Sequence, residues 1–103
     1  MKRCLLMVLT IIPVLAHAGK LGPDCTLNGK KLYGKVRVVD SFPTFKVRVT
    51  NAFPDLKVEK VTAFPDRCGR WEFVTAFEDF SVQFVDAFED FSIDYVTSFP
   101  RVP

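Results

Sequence analysis

Histidine is nearly absent from this sequence: among 103 residues only His17 carries an imidazole. Its surroundings make even that one transient. Lys2 and Arg3 form a charged start, Cys4 to Leu15 an apolar stretch, and Ala16-His17-Ala18 offers small residues at the two positions a signal peptidase inspects. This is the pattern of a secretory signal over residues 1–18, cleaved after Ala18. The exported chain then has no histidine, which excludes Ser-His and Cys-His nucleophile activation and histidine-based zinc sites. A long apolar run is missing too. Cys4 to Leu15 is shorter than the roughly 20 apolar residues that cross a bilayer, and Pro13 interrupts it, so signal cleavage leaves no transmembrane segment. Cys4 stands at the head of that run rather than after it, which excludes a lipoprotein anchor there.

An excess of one charge is also lacking. Removing Lys2 and Arg3 from 14 basic residues leaves 12, against 12 acidic ones, so the basicity of the full chain belongs partly to its leader. Cysteine is scarce: three in all, and only Cys25 and Cys68 follow the leader. An even pair in a small exported chain is most simply a disulfide. Closing so long a loop stabilises by roughly 4 kcal/mol in the chain-entropy model. No EF-hand spacing and no glycine-rich calcium repeat is present.

What the sequence has in abundance is repetition. From Lys35 to Pro103 it reads KVRVVDSFPTF, KVRVTNAFPDL, KVEKVTAFPDRCG, RWEFVTAFEDF, SVQFVDAFEDF and SIDYVTSFPRVP. One such unit cannot bury its own apolar face and must stack on its neighbours. Positions two and four hold Val36 and Val38, Val47 and Val49, Trp71 and Phe73, Val82 and Phe84, Ile93 and Tyr95. Polar residues alternate with them, which predicts a half-buried strand of about five residues per unit. An eleven-residue period also suits a supercoiled helix, but β-branched content and recurrent Phe-Pro pairs exclude it.

A corner follows each strand. Position six is Asp, Asn or Thr, position seven is always Ala or Ser, and position eight is always Phe: Phe42, Phe53, Phe64, Phe77, Phe88 and Phe99. Pro43, Pro54, Pro65 and Pro100 stop the strand from continuing. The small residue and invariant ring predict a tight corner whose ring caps or fills the interior. All eleven phenylalanines lie in the repeats, most at positions four, eight and eleven, and read as core. Trp71 reads as core by the same alternation. The third unit departs, with Lys60 at position four and Arg67-Cys68-Gly69 lengthening its corner. Before the repeats, TLNGKKLYG reads as a degenerate hairpin or a cap. The organisation expected is a signal over 1–18, a cap segment over 19–34 and a six-repeat β domain over 35–103. One strand and one corner per step fits a compact solenoid or a chain wound about a common axis better than an up-and-down meander.

Strands of the form WEFV, VQFV and IDYV, spaced eleven apart with a tryptophan opening a middle unit, resemble the septoil-knot family of small bacterial repeat proteins. The resemblance covers about two-thirds of the chain. It implies a compact, all-β, knotted domain and brings no catalytic residues.

Two charge clusters are candidate sites. Lys35, Arg37, Lys46, Arg48, Lys57 and Lys60 fall in the first three units. Stacked strands would align them into a basic ladder able to contact a partner or hold a polyanion; the plainer reading is a solvated strand face that also discourages edge pairing. Glu78, Asp79, Asp86, Glu89 and Asp90 recur at corners of the second half and are weak candidates for calcium. The basic and acidic halves could also pair, within the fold or between copies. The expectation is an exported, non-catalytic domain, periplasmic or extracellular, with a binding or structural role. It needs no cofactor, and its partner is a protein or a second copy of itself.

Overall fold

The computed structural model describes residues 20–103; the expected leader over 1–18 lies outside them. Among the described residues there is no helix. Eight strands follow in order: β1 (Thr26–Leu27), β2 (Lys30–Lys31), β3 (Gly34–Val38), β4 (Phe45–Val49), β5 (Leu56–Lys60), β6 (Arg70–Phe73), β7 (Phe80–Phe84) and β8 (Phe91–Tyr95). β1 and β2 form a small antiparallel hairpin across Asn28-Gly29, both at positive φ, as such a turn requires. The other six are all parallel and close into a barrel in the order β3-β6-β5-β8-β4-β7. The chain goes round twice: β3, β4 and β5 take alternate places on the first circuit, and β6, β7 and β8 fill the gaps on the second.

Register sorts the repeat positions into layers. Val36 stands opposite Phe80, Val82 opposite Phe45, Val47 opposite Phe91 and Ile93 opposite Leu56. Each strand is thus staggered by the same step against the next, and the tilt of a closed barrel brings equivalent positions level around its axis. Position two gives a layer of Val36, Val47, Val58, Trp71, Val82 and Ile93, all without exposed surface. Position eleven gives the layer below, with Phe45, Leu56, Phe80 and Phe91 buried. Phe45 meets Phe80 and Phe91 edge to face, with centroids 5.9 and 5.5 Å apart, and Trp71 meets Phe80 at 5.5 Å.

Residues 20–33 close this lower end. Leu21, Cys25 and Leu32 join the core, and the Trp71 indole N–H donates to the Leu32 carbonyl at 2.9 Å. The segment read as either hairpin or cap is both. Cys25 and Cys68 form a disulfide with Cα atoms 5.7 Å apart, tying this plug to the β5–β6 connection.

Two expectations about the aromatics need correction: position four is core only in part, with Phe73 and Tyr95 half-buried against it, and position eight is not core at all. Position four lies at the opposite mouth of the barrel, where no segment among the described residues covers it: Val38, Val49 and Phe84 are 51, 48 and 39% exposed. Lys60 fits there because the mouth is open, its ammonium 4.6 Å from the Tyr95 ring centroid. The position-eight rings do not fill the interior either. They stand outside, from 76% exposed at Phe64 to 99% at Phe53.

Candidate interaction surface

The corners explain why those rings point outward. Val38, the end of β3, and Phe45, the start of β4, are partnered with the same residue, Val82, from its two sides. Residues 39–44 must therefore pass across β7, and they do so on its outer face, since Val82 is turned wholly inward. The outward side chains flanking Val82 hold the corner. Thr44 N–H donates to Ser81 Oγ at 3.0 Å, Ser81 N–H to Thr44 Oγ1 at 3.1 Å, and Gln83 Nε2 to the Asp40 carbonyl at 2.9 Å.

The same step recurs around the barrel. Residues 50–55 cross β8 at Ile93, where Ser92 N–H donates to Asp55 Oδ2 at 2.9 Å. Residues 74–79 cross β3 at Val36, and residues 85–90 cross β4 at Val47. The chain after β8 crosses β5, exchanging two backbone bonds between Lys57 and Arg101 at 2.8 and 3.1 Å. Corners of the first circuit lie over strands of the second, and corners of the second over strands of the first. Within the barrel, only the longer β5–β6 connection joins adjacent strands, with Lys60 opposite Trp71.

This arrangement places the charged candidates. β3, β4 and β5 are never neighbours, so Lys35, Arg37, Lys46, Arg48, Lys57 and Lys60 do not align into one ladder. Second-circuit strands lie between them, and the second-circuit corners over β3 and β4 carry the acidic residues. Arg37 Nη1 is 3.6 Å from Glu78 Oε2, and Arg48 Nε donates to Glu89 Oε2 at 3.0 Å. Asp79 and Asp90 accept the N–H groups of Lys35 and Lys46, each at 2.7 Å. Backbone N–H donation and the Arg48 guanidinium hold the Glu89 carboxyl below its usual range. At the open mouth, burial pushes the Tyr95 phenol up.

The five acidic candidates are thereby spread over two corners. Among the described residues no three His, Cys, Asp or Glu side chains stand close enough to share a metal ion. A surface cavity of about 820 Å³ lies beside the disulfide between Asp24, Glu59, Asp66, Arg67, Arg70 and Arg101. Arg70 lies 3.6 Å from Asp66 and 3.8 Å from Glu59; the second distance is an ion-pair separation too long for a hydrogen bond, and the buried Nε makes none.

The position-eight phenylalanines, expected in the core, are instead the main exposed apolar feature of the outer surface among the described residues. Each has positive φ, between 52° at Phe53 and 61° at Phe88. The residue before each, Ser41, Ala52, Ala63, Ala76, Ala87 or Ser98, is also exposed. A signal was present in the sequence: a position that never varies while the core positions around it do.

A family model described as the 7(1) septoil knot domain matches residues 29–103, from the turn of the hairpin through all six barrel strands. The chain belongs to that family. Membership covers the double-circuit barrel and the second half of the plug, and leaves Cys25 outside the matched region. No curated protein matches the chain.

Proposed function

We propose that this septoil-knot protein is an exported, non-catalytic binding or structural module whose working surface is the girdle of corner phenylalanines. The observation that carries this reading is that all six rings are exposed on left-handed backbone. A left-handed residue with a Cβ costs about 1–2 kcal/mol, which glycine avoids and asparagine partly offsets. A ring left in water returns no burial energy. The fold therefore gains nothing from phenylalanine at these corners, and a partner that covers the rings would.

The reciprocal crossings support a knotted path for the two circuits. The disulfide supports an oxidising compartment, periplasmic or extracellular. A polyanion surface is the weaker reading, because Arg37 and Arg48 already face carboxylates.

The test is capture with the tagged, oxidised full chain from its own host's envelope and medium. Wild type and the charge variant K35E/K46E should retain the same partner, another copy of the chain included. The corner variant F42N/F53N/F88N should lose it while its melting temperature stays equal or rises. Loss from the charge variant with retention by the corner variant would move the activity to the lysines.

A further inference from the structure

The girdle has a geometry that narrows its occupant. In barrel order, Phe77 lies on the corner over β3, Phe42 over β7, Phe88 over β4 and Phe53 over β8. These four consecutive corners carry the four most exposed rings, at 92, 97, 93 and 99%. Phe64 and Phe99, on the side of the disulfide cleft, are more covered at 76 and 79%. The apolar surface is thus an arc over about half of the circumference. The crossings lie over residues of one layer, so the arc is level.

We infer that this arc is a self-association face, on which a second copy of the same chain packs side by side. The inference rests on the girdle being the working surface and names what covers it. Three observations support a second copy.

Each corner carries a knob and its own shelf, a Phe ring beside an exposed Ala or Ser, so the surface is complementary to itself. Edge-to-face contact between such rings is the packing the core already uses. The area is adequate. At about 200 Å² per ring, three rings from each copy bury on the order of 1,200 Å², the lower bound of a specific interface. Charge does not oppose association either. The second half's Glu78 and Glu89 are paired within the fold, and 12 basic residues balance 12 acidic ones after the leader. A two-fold axis through the arc lets Phe42 and Phe88 of each copy meet those of the other, an isologous contact that closes as a dimer.

The experiment is sedimentation velocity on the oxidised full chain over a hundredfold concentration range, with and without zwitterionic phosphatidylcholine vesicles. Wild type should shift from monomer to twice the monomer mass as concentration rises, and F42N/F53N/F88N should remain monomeric. F64N/F99N, which changes rings outside the arc, should dimerise like wild type. The melting temperature of each variant, read in parallel, separates loss of association from loss of fold. Wild type that stays monomeric throughout overturns the self-association. If that monomer floats with the vesicles through the same rings, or captures a foreign protein through them, the girdle remains the working surface and only its occupant was wrong. A monomer that binds neither removes both readings.

Discussion

At the residue scale, two positions use left-handed backbone in opposite ways. Gly34 has φ of 122°, and a Cβ there would run into the Asp79 carboxylate that accepts the Lys35 N–H. Glycine is favoured at this point, because φ is one that side chains with a Cβ rarely adopt and the Asp79 carboxylate occupies the space of a Cβ. Gly34→Ala should destabilise by more than about 1 kcal/mol, combining an unfavourable φ with a displaced hydrogen bond; chemical denaturation measures it. The corner phenylalanines are the reverse case, with strained backbone and open space around the ring. Here reading from sequence failed for a definite physical reason. Phenylalanine is normally buried for its apolar area, and nothing local in AFPD or AFED separates a ring folded inward from one held outward. The direction is set by the strand under the corner, which is distant in sequence.

At the scale of strand and corner, alternation and strand length were legible, since position two is buried in every unit. The depth of each position was not. Positions two and four share a face, but only the stagger between strands decides that one is mid-barrel and the other at the mouth. The charge division now has a cause. Lys-x-Arg strands lie under Glu-Asp corners, whereas Ser81 and Ser92 lie under the Pro-Thr and Pro-Asp corners. Each circuit thus recognises the other circuit rather than itself, which discourages pairing a strand with the wrong corner. Reversing one partner, Arg48→Glu or Glu89→Arg, should lower the melting temperature. The double reversal should recover part of the loss, a nonzero coupling in the cycle.

Acid probes the same contact. Because the Glu89 pKa is depressed in the fold, its contribution is present above the ordinary carboxylate value of about 4.3 and lost as pH falls through the folded value. Glu89→Gln should therefore differ from wild type near neutrality and converge with it in acid, as followed by thermal melts from pH 7 to 2.

For the whole molecule, composition and spacing pointed to an all-β exported repeat domain, and the fold is all-β. Closure into a barrel was not legible. A solenoid and a double-wound barrel share the same eleven-residue period, and they differ only in which distant strands pair. The resemblance drawn from WEFV, VQFV and IDYV, more than any periodicity, pointed to the right family. Pairing of this kind is long-range throughout, and folding that waits on distant contacts is slow. Refolding of the reduced chain should therefore proceed over seconds or longer, as measured by Trp71 fluorescence after denaturant dilution.

The disulfide gives that slowness a direction. Cys25 and Cys68 join to make a covalent ring that contains all of the first circuit and none of the second. The first-circuit corners pass outside β7 and β8, and the second-circuit corners pass outside β3 and β4, so each circuit is overlain by the corners of the other. On the knotted path proposed above, a chain oxidised while unfolded would draw the tail after Cys68 through an already closed loop, whereas a reduced chain could wrap the loop around it and fasten it afterwards. Refolding with the disulfide intact should thus be slower than refolding reduced protein, although the oxidised product is the more stable. On the proposed exported route the same asymmetry would favour late oxidation, with the bond closed only after the two circuits have wound together.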